Sequence, residues 1–231
     1  MNNTLSNQKI VLAGASSGIG LASARLLASE GADVTITGRD PQKLAASGLS
    51  SAVVDSRNRE ELDAFFAGIG SFDHLVVSLA SRRGLGPLAQ LSLADVREGF
   101  EEKFFAVAHT VQAALPYVTG SITVLSAVSA SARMPGTSGI AAVNGALEIM
   151  VPIWARELAP VRVNAVSPGV IDTPWWDFLP AADRAAAFAQ YSLQIPLKRV
   201  GRAEEIADVV RSLVGATYVT GRVIVADGGL G

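Results

Sequence analysis

The chain contains no cysteine in its 231 residues. This absence excludes disulfide bonds, thiolate metal sites and a cysteine nucleophile, and it argues against a secreted protein stabilised by disulfides. Histidine is almost as scarce, since only His74 and His109 occur. Two histidines far apart in sequence do not form a metal-binding pattern, so we predict that no metal is bound and that both are structural.

An excess of charge of either sign is also lacking. Lysine and arginine number 19, aspartate and glutamate number 21, and the formal net charge is −2. Because there is no basic block, we predict no nucleic-acid partner. No apolar run reaches the ~18 residues of a membrane span, and the polar residues 1–8 lack the basic-then-apolar pattern of a signal peptide. We therefore expect a cytoplasmic protein that does not bind membranes and acts on a small-molecule substrate.

Apolar residues, by contrast, make up 49% of the chain, enough for one large core, and no linker interrupts it. Short runs rich in Val, Ile and Leu alternate with stretches of helical spacing. This alternation predicts one α/β domain over residues 1–231, built on a doubly wound, seven-stranded parallel sheet. The seven predicted strands are residues 10–13, 34–37, 52–54, 74–77, 122–125, 161–166 and 223–225.

The predicted helices connect these strands, and two of them are long. They span residues 93–115 and 140–158 and are apolar on more than one face, so we expect a homodimer or homotetramer that packs through them. Residues 173–200 are less periodic and contain proline and aromatic residues, which predicts a lobe that covers the substrate. The remaining helices are predicted at residues 21–29, 41–46, 59–67 and 203–213.

A glycine-rich segment joins the first predicted strand to the first helix. It reads Gly14-Ala15-Ser16-Ser17-Gly18-Ile19-Gly20. Glycine lets the backbone turn tightly and approach a pyrophosphate, and the free N–H groups at the start of a helix bind the anion. The order of strand, glycines and helix therefore predicts a dinucleotide site formed by Gly14, Ser16, Ser17, Gly18, Ile19 and Gly20.

The residues after the second and third strands indicate which dinucleotide binds. Gly38 stands where an NAD site would carry a carboxylate for the ribose, and Arg39 follows it. A guanidinium binds a 2′-phosphate that a carboxylate would repel, so we predict NADP(H). The alternative is a solvated loop arginine. Asp55 either accepts a hydrogen bond from the adenine amino group or is a turn residue.

The chain contains a set of motifs in a fixed order: Gly14-x-x-x-Gly18-Ile19-Gly20, Asp55, Asp73-x-Leu75-Val76, Arg162 through Thr173, Tyr218-Val219-Thr220-Gly221 and Asp227-Gly228-Gly229. Together these motifs resemble the short-chain dehydrogenase/reductase family over nearly the whole chain. The resemblance implies a Rossmann-like oxidoreductase that binds NAD or NADP, with Thr173 near the nicotinamide carboxamide. The residues after the fourth strand, including Ser78 and Ala80, depart from the usual Asn-Asn-Ala-Gly, although their backbone can still support the cofactor. The segment implied to lie along the nicotinamide contains Pro168, Gly169, Val170, Ile171 and Thr173.

The catalytic residues of that family do not occur at the matching positions. Members normally carry Asn, Ser, Tyr and Lys, whereas this chain has Lys103, Ala127, Ile140 and Asn144. No tyrosine is followed by a lysine four residues later, so the usual phenol and ammonium pair is not present in the sequence. General acid catalysis supplies ~10²–10⁴-fold in rate, so we expect an ordinary ketone to be reduced poorly by the usual route.

Two of the four residue types have exchanged places, and this suggests a changed active site. If Lys103 and Asn144 face each other, ammonium and amide both reach the pocket; alternatively, Lys103 is a surface residue paired with Glu101 and Glu102. Arg133 is predicted to overhang the nicotinamide end, and Ser126 to bond a substrate. Exposure of Arg133 and turn formation by Ser126 are the alternatives.

Three functions remain open on this basis. The first is a reductase of imines, iminium ions or activated alkenes, which need orientation and an apolar pocket more than a protein acid. The second is a carbonyl reductase or alcohol dehydrogenase with a relocated acid, such as Lys103 or Tyr191. The third is an inactive NADP-binding sensor or interaction protein. The nicotinamide segment and the covering lobe favour an enzyme.

Overall fold

A parallel sheet of seven strands forms the centre of the computed structural model, which describes residues 5–231. The strand order is β3-β2-β1-β4-β5-β6-β9. Successive strands are added on one side of β1 up to β3 and on its other side from β4 onwards, so the order of addition reverses between β1 and β4. This point of reversal creates a crevice at the carboxyl ends of the strands. The strands are β1 (Lys9–Ala13), β2 (Asp33–Gly38), β3 (Ser50–Val53), β4 (Phe72–Val77), β5 (Val118–Leu125), β6 (Arg162–Pro168) and β9 (Val223–Ala226).

Helices cover both faces of this sheet and divide the core into two clusters. One cluster lies around Phe66, Phe72 and Leu147, and the other around Leu12, Leu27 and Val210. The doubly wound, seven-stranded parallel sheet predicted from the sequence is confirmed. The helices are α1 (Gly18–Ser29), α2 (Pro41–Ala46), α3 (Arg59–Ile69), α4 (Leu93–Gly99), α5 (Ala106–Ala114), α6 (Ser138–Glu157), α7 (Ala181–Gln194) and α8 (Ala203–Gly215).

The predicted long helix over residues 93–115 is continuous but irregular. Between α4 and α5 the backbone forms a π-helical turn over Phe100–Phe105. Such a turn is less stable than α-helix and often marks a functional position. Lys103 lies on this turn and is the one buried residue within it.

The covering lobe differs from its prediction in having regular structure. Residues 173–200 contain the fourteen-residue helix α7. None of the α7 residues is fully buried, which explains why no continuous apolar stripe marked this helix in the sequence. Two short strands, β7 (Ile171–Asp172) and β8 (Gly201–Arg202), pair in parallel on either side of the lobe and fix both of its ends.

Exposed apolar side chains occur on the two long central helices. Phe105, Ile149 and Ile153 are exposed by 41%, 70% and 50%. These side chains lie on the two helices through which association is predicted, and the homodimer or homotetramer stays a prediction. By length and composition α6 could also cross a membrane, but the same is true of a core helix, and its inner residues Leu147 and Val151 are buried in the core.

His74 has the structural role expected of it. Its Nδ1 lies 2.8 Å from Ser121 Oγ and its Nε2 lies 2.9 Å from Gln8 Oε1. Burial of the ring, with a smaller contribution from the positive charge of Arg162, lowers the pKa of His74 to about 4. The folded protein therefore holds this imidazole neutral at pH values where the unfolded chain protonates it.

Acidification should consequently destabilise the fold through His74. The contribution of neutral His74 to the unfolding free energy is fully present above its unfolded pKa of about 6.5. This contribution is lost as the pH falls towards 4, because the unfolded state then binds a proton that the folded state does not. Between pH 6.5 and 4 we expect the wild type to lose about 3 kcal/mol more unfolding free energy than a His74→Gln variant. Urea unfolding of both proteins at the two pH values measures this difference, and equal losses would contradict it.

Candidate cofactor and active site

A cleft of about 810 Å³ opens at the carboxyl ends of the central strands. It extends from the glycine-rich loop to the covering lobe, so the residues predicted for the cofactor and those predicted for catalysis share one cavity. Seventeen of the predicted site residues line it: Gly14, Ser16, Ser17, Gly18, Ile19, Arg39, Asp55, Ser78, Ala80, Lys103, Ser126, Asn144, Pro168, Gly169, Val170, Ile171 and Thr173.

The glycine-rich loop has the geometry of an anion site. Gly14 has φ +75°, and a Cβ there would lie 2.7 Å from the carbonyl oxygen of Ser78. Helix α1 begins at Gly18, and the Ser17 side chain does not cap it, so N–H groups at its start are left for a ligand. No acidic side chain occupies the first turn. A pyrophosphate fits this arrangement.

Gly20 differs from the other predicted residues of the glycine-rich loop. It is not among the residues that line the cleft. A Cβ at Gly20 would lie 2.8 Å from both Ala15 Cα and the carbonyl oxygen of Gly14. Gly20 is therefore needed for close packing of α1 against the loop, and a direct contact with the cofactor stays a prediction.

Three basic side chains lie at the end of the cleft beyond β2. Arg39, Lys43 and Arg57 line it, and Arg39 is exposed and forms no salt bridge with any residue in the range 5–231. Next to Arg39, Asp40 caps α2 through its side chain. An unpaired guanidinium at this position is available to a 2′-phosphate.

Asp55 is held by Arg57, a residue that the sequence analysis missed. Its Oδ1 accepts hydrogen bonds from the backbone N–H and Nε of Arg57, and its Oδ2 accepts one from Nη2 at 2.8 Å. The bond from the Arg57 side chain holds the pKa of Asp55 below its usual value. The turn role of Asp55 is thus present in the structure, and its contact with adenine stays a prediction.

At the other end of the cleft, Lys103 and Asn144 meet. Lys103 Nζ donates to Asn144 Oδ1 at 2.7 Å and to the carbonyl oxygen of Ser126 at 3.1 Å. Asn144 Nδ2 in turn donates to Ser129 Oγ at 3.1 Å. Lys103 is only 5% exposed and Asn144 only 1% exposed. The surface alternative for Lys103 is therefore wrong, and Lys103 and Asn144 do face each other.

Burial changes the acidity of Lys103. Desolvation lowers the pKa of its ammonium to about 8, while the negative charge of Glu148 opposes that shift. An ammonium with a pKa near neutrality can give up its proton in water at physiological pH. Ser126 Oγ donates to Glu148 at 2.7 Å, so its hydroxyl is directed away from the role of substrate donor.

The remaining sequence candidates are placed as follows. Arg133 is exposed and is not among the residues that line the cleft, whereas its neighbour Met134 is. Its contact with the nicotinamide end stays a prediction. Tyr191 lines the cleft, but its ring packs against Trp176 and its hydroxyl is not hydrogen-bonded to Lys103. Ala127 and Ile140 also line the cavity.

The lobe contacts the loop after β4 across the cleft. Trp175 Nε1 donates to the carbonyl oxygen of Ser81 at 3.3 Å, and the Arg82 guanidinium lies 5.3 Å from the Phe178 ring centroid. Arg184 on α7 pairs with Asp172 and Asp177, which fixes α7 to the segment after β6. Aromatic side chains therefore wall one side of the cavity. Within residues 5–231, no group of three or more His, Asp or Glu is placed to hold a metal ion.

The sequence is similar to known reductases over almost its whole length. The family model described as "Enoyl-(Acyl carrier protein) reductase" matches residues 14–231. A granaticin polyketide synthase putative ketoacyl reductase of Streptomyces violaceoruber is 33% identical, over 95% of this chain and 94% of that protein. The 3-oxoacyl-acyl-carrier-protein reductase of Thermotoga maritima is also 33% identical, over 98% of each chain.

Two solved structures are similar over almost their full length. A small-chain dehydrogenase in complex with NADPH superposes with a TM-score of 0.87 at 30% identity, over 97% of this chain and 99% of that one. A short-chain oxidoreductase of Pseudomonas aeruginosa PAO1, described as containing an atypical catalytic center, gives a TM-score of 0.89 at 29% identity, over 98% of each. The matched family model, the identities and the shared fold show that this chain belongs to the short-chain dehydrogenase/reductase family of oxidoreductases.

Proposed function

We propose that this NADP(H)-dependent oxidoreductase reduces a small carbonyl compound and that Lys103 supplies the proton normally given by tyrosine. One observation carries the proposal: the Lys103 ammonium is buried at the cleft, held by Asn144 at 2.7 Å, and its pKa is lowered to about 8. Of the functions left open by the sequence, the relocated acid is the one that this contact favours. The ketoacyl reductases among the relatives support a carbonyl substrate.

The residues that would hold the cofactor follow from the cleft. The N–H groups at the start of α1 and the tight turn at Gly14 would bind the pyrophosphate, and Arg39 would bind the 2′-phosphate. Thr173 and the backbone of Val170 would hold the nicotinamide end. When bound, NADPH supplies the hydride.

Lys103 would act on the substrate oxygen. Its Nζ–H bond breaks as an O–H bond forms on that oxygen, the electron pair of the N–H bond remains on nitrogen, and the neutral amine is reprotonated from solvent. Nζ has three N–H groups, of which Asn144 and Ser126 engage two. The third is available to a substrate, so the hydrogen bonds that fix Lys103 need not be broken for proton transfer.

The rest of the pocket would select the substrate by shape. Ala127 and Ile140 offer no hydrogen bond from their side chains, and Trp175, Trp176 and Phe178 add apolar surface. A wall of this composition favours an apolar substrate, and the burial of Lys103 strengthens its interaction with a developing alkoxide. A cationic iminium would be repelled by protonated Lys103, whereas a neutral imine could accept its proton.

A panel of substrates tests the proposal. Purified protein is titrated with NADPH and NADH by fluorescence, and the loss of NADPH absorbance is then followed with apolar ketones, cyclic imines and activated alkenes. We expect turnover of ketones, lost as the pH rises through about 8 because Lys103 must be protonated. Turnover of alkenes or preformed iminium ions alone would contradict the role of Lys103, and binding without any turnover would favour a sensor.

A further inference from the structure

A carboxylate lies behind Lys103 that the reaction proposed above does not use. Glu148 is on α6, one helical turn after Asn144. Its Oε1 accepts hydrogen bonds from Ser126 Oγ at 2.7 Å and from Ser167 Oγ at 2.8 Å. Ser126 directly follows β5, and Ser167 belongs to β6. A single carboxylate oxygen therefore ties α6 to the ends of two neighbouring strands beneath the pocket.

Ser126 joins this carboxylate to Lys103. Its hydroxyl donates to Glu148, and its carbonyl oxygen accepts from Lys103 Nζ at 3.1 Å. Both groups that accept from Nζ, the Asn144 amide and the Ser126 carbonyl, are neutral. A buried ammonium with only neutral partners is costly unless an opposite charge is near. The position of Glu148 supplies that charge through Ser126 without contacting Lys103 in an ion pair.

Other charged groups around Lys103 are engaged elsewhere or exposed. Glu102, beside Lys103 on the π-helical turn, accepts from Ser81 Oγ at 2.7 Å and pairs with Arg83. Asp95 on α4 also pairs with Arg83. Glu101 is exposed to solvent, and the remaining charged residues of α6, Arg156 and Glu157, lie at its far end. Glu148 is left as the carboxylate whose charge acts on the Lys103 ammonium.

We propose that Glu148 is a positioning residue that keeps Lys103 protonated and holds the Ser126 carbonyl in place to orient its Nζ. The proposal rests on the function proposed above, because it concerns the group assigned there as proton donor. Glu148 itself does not contact the substrate. Its effect is expected in the titration of Lys103 and in the pH range of activity.

Titration of Lys103 in the cofactor-free protein tests this directly. The chain has only four lysines, Lys9, Lys43, Lys103 and Lys198. Lysine labelled with ¹³C at Cε therefore gives four resonances, and the signal of Lys103 is the one that disappears in Lys103→Met. In the wild type we expect its midpoint near pH 8. Glu148→Gln keeps an oxygen that can accept from both serines but removes the charge, and it should lower the midpoint by about one pH unit.

Two further variants keep the test decisive. Glu148→Asp moves the carboxylate away by one methylene, so it should lower the midpoint of the Lys103 titration by less than Glu148→Gln does. It also replaces Glu148→Gln in the test if that variant does not fold. Glu157→Gln, near the end of the same helix, should leave the midpoint unchanged. The proposal is overturned if Lys103 titrates as in the wild type in whichever Glu148 variants retain the wild-type circular dichroism.

Activity then separates this inference from the proposed function. The upper limb of the kcat profile should move to lower pH in Glu148→Gln by the same amount as the resonance. If the resonance moves while Lys103→Met keeps full turnover, the coupling of the two charges stands and the role of Lys103 as proton donor fails. If Lys103→Met loses turnover but the resonance does not move, the proton donor stands and the role of Glu148 fails.

Discussion

Replacement of Lys103 by methionine is expected to lower kcat by about 10²–10⁴-fold, the usual contribution of a general acid. Methionine fills a similar volume, so the principal change is the loss of the ammonium, both the N–H that would donate to the substrate and the two that bind Asn144 and Ser126. The variant should also lose the fall in activity that the wild type shows as the pH rises through about 8. Steady-state kinetics from pH 6 to 10 with saturating NADPH measures both effects.

Two controls separate catalysis from folding. Lys9→Met changes a lysine at the start of β1, outside the cleft, and should leave kcat unchanged. Thermal unfolding of Lys103→Met should show a folded protein with a lower Tm, because Asn144 Oδ1 and the Ser126 carbonyl lose their donor, so the kinetics are measured well below that Tm. Unaltered turnover and an unaltered pH profile in Lys103→Met would show that the proton comes from elsewhere.

Replacement of Arg39 by alanine should raise the Kd of NADPH by about 30–150-fold, corresponding to loss of ~2–3 kcal/mol from a charge-assisted contact with the 2′-phosphate. The Kd of NADH should change by less than about threefold, since NADH lacks that phosphate. Arg39 is exposed and unpaired among residues 5–231, so its removal leaves no buried carboxylate without a partner. Fluorescence titration of both dinucleotides measures the difference.

Arg59→Ala is the matched control for that experiment. Arg59 is also exposed, but it pairs with Asp63 on α3 and does not line the cleft. Both Kd values should remain at the wild-type level in this variant. An equal loss of NADPH and NADH affinity in Arg39→Ala would mean that Arg39 supports the site without reading the phosphate. Arg57, which also lines this end, would then be the next guanidinium to replace.

Most of the fold could be predicted because its signals are local. Strands buried on both faces appear as short apolar runs, and glycines with φ near +75°, as at Gly14, mark the turn they permit. Helix α7 was missed because none of its residues is fully buried, so periodicity carried little information. The paired strands β7 and β8 are two residues each, too short to leave a pattern in sequence.

Motif spacing was enough to predict which residues lie at the candidate site, but not which of them contact one another. The family resemblance indicated the positions of Lys103 and Asn144, but their contact depends on how the π-helical turn and α6 pack. Glu148 and Arg57 were missed because charged residues of this kind are usually solvated. The partners of Glu148 are about twenty residues away in sequence, and Arg57 pairs with Asp55 through a loop that has no periodic pattern. For Arg133 the sequence left a substrate contact and solvent exposure open, and the structure has this arginine exposed.

The wider turn between α4 and α5 also sets how the two halves of that helix are used. One additional residue rotates everything after it by about 100° relative to a regular α-helix. The first half can therefore rest on α6, while the second half turns its buried residues, Val107 and Val111, to the sheet. Deletion of one residue from this turn would restore a regular α-helix and rotate one half relative to the other. Lys103 could then face the cleft only if Val107 and Val111 turned away from the sheet.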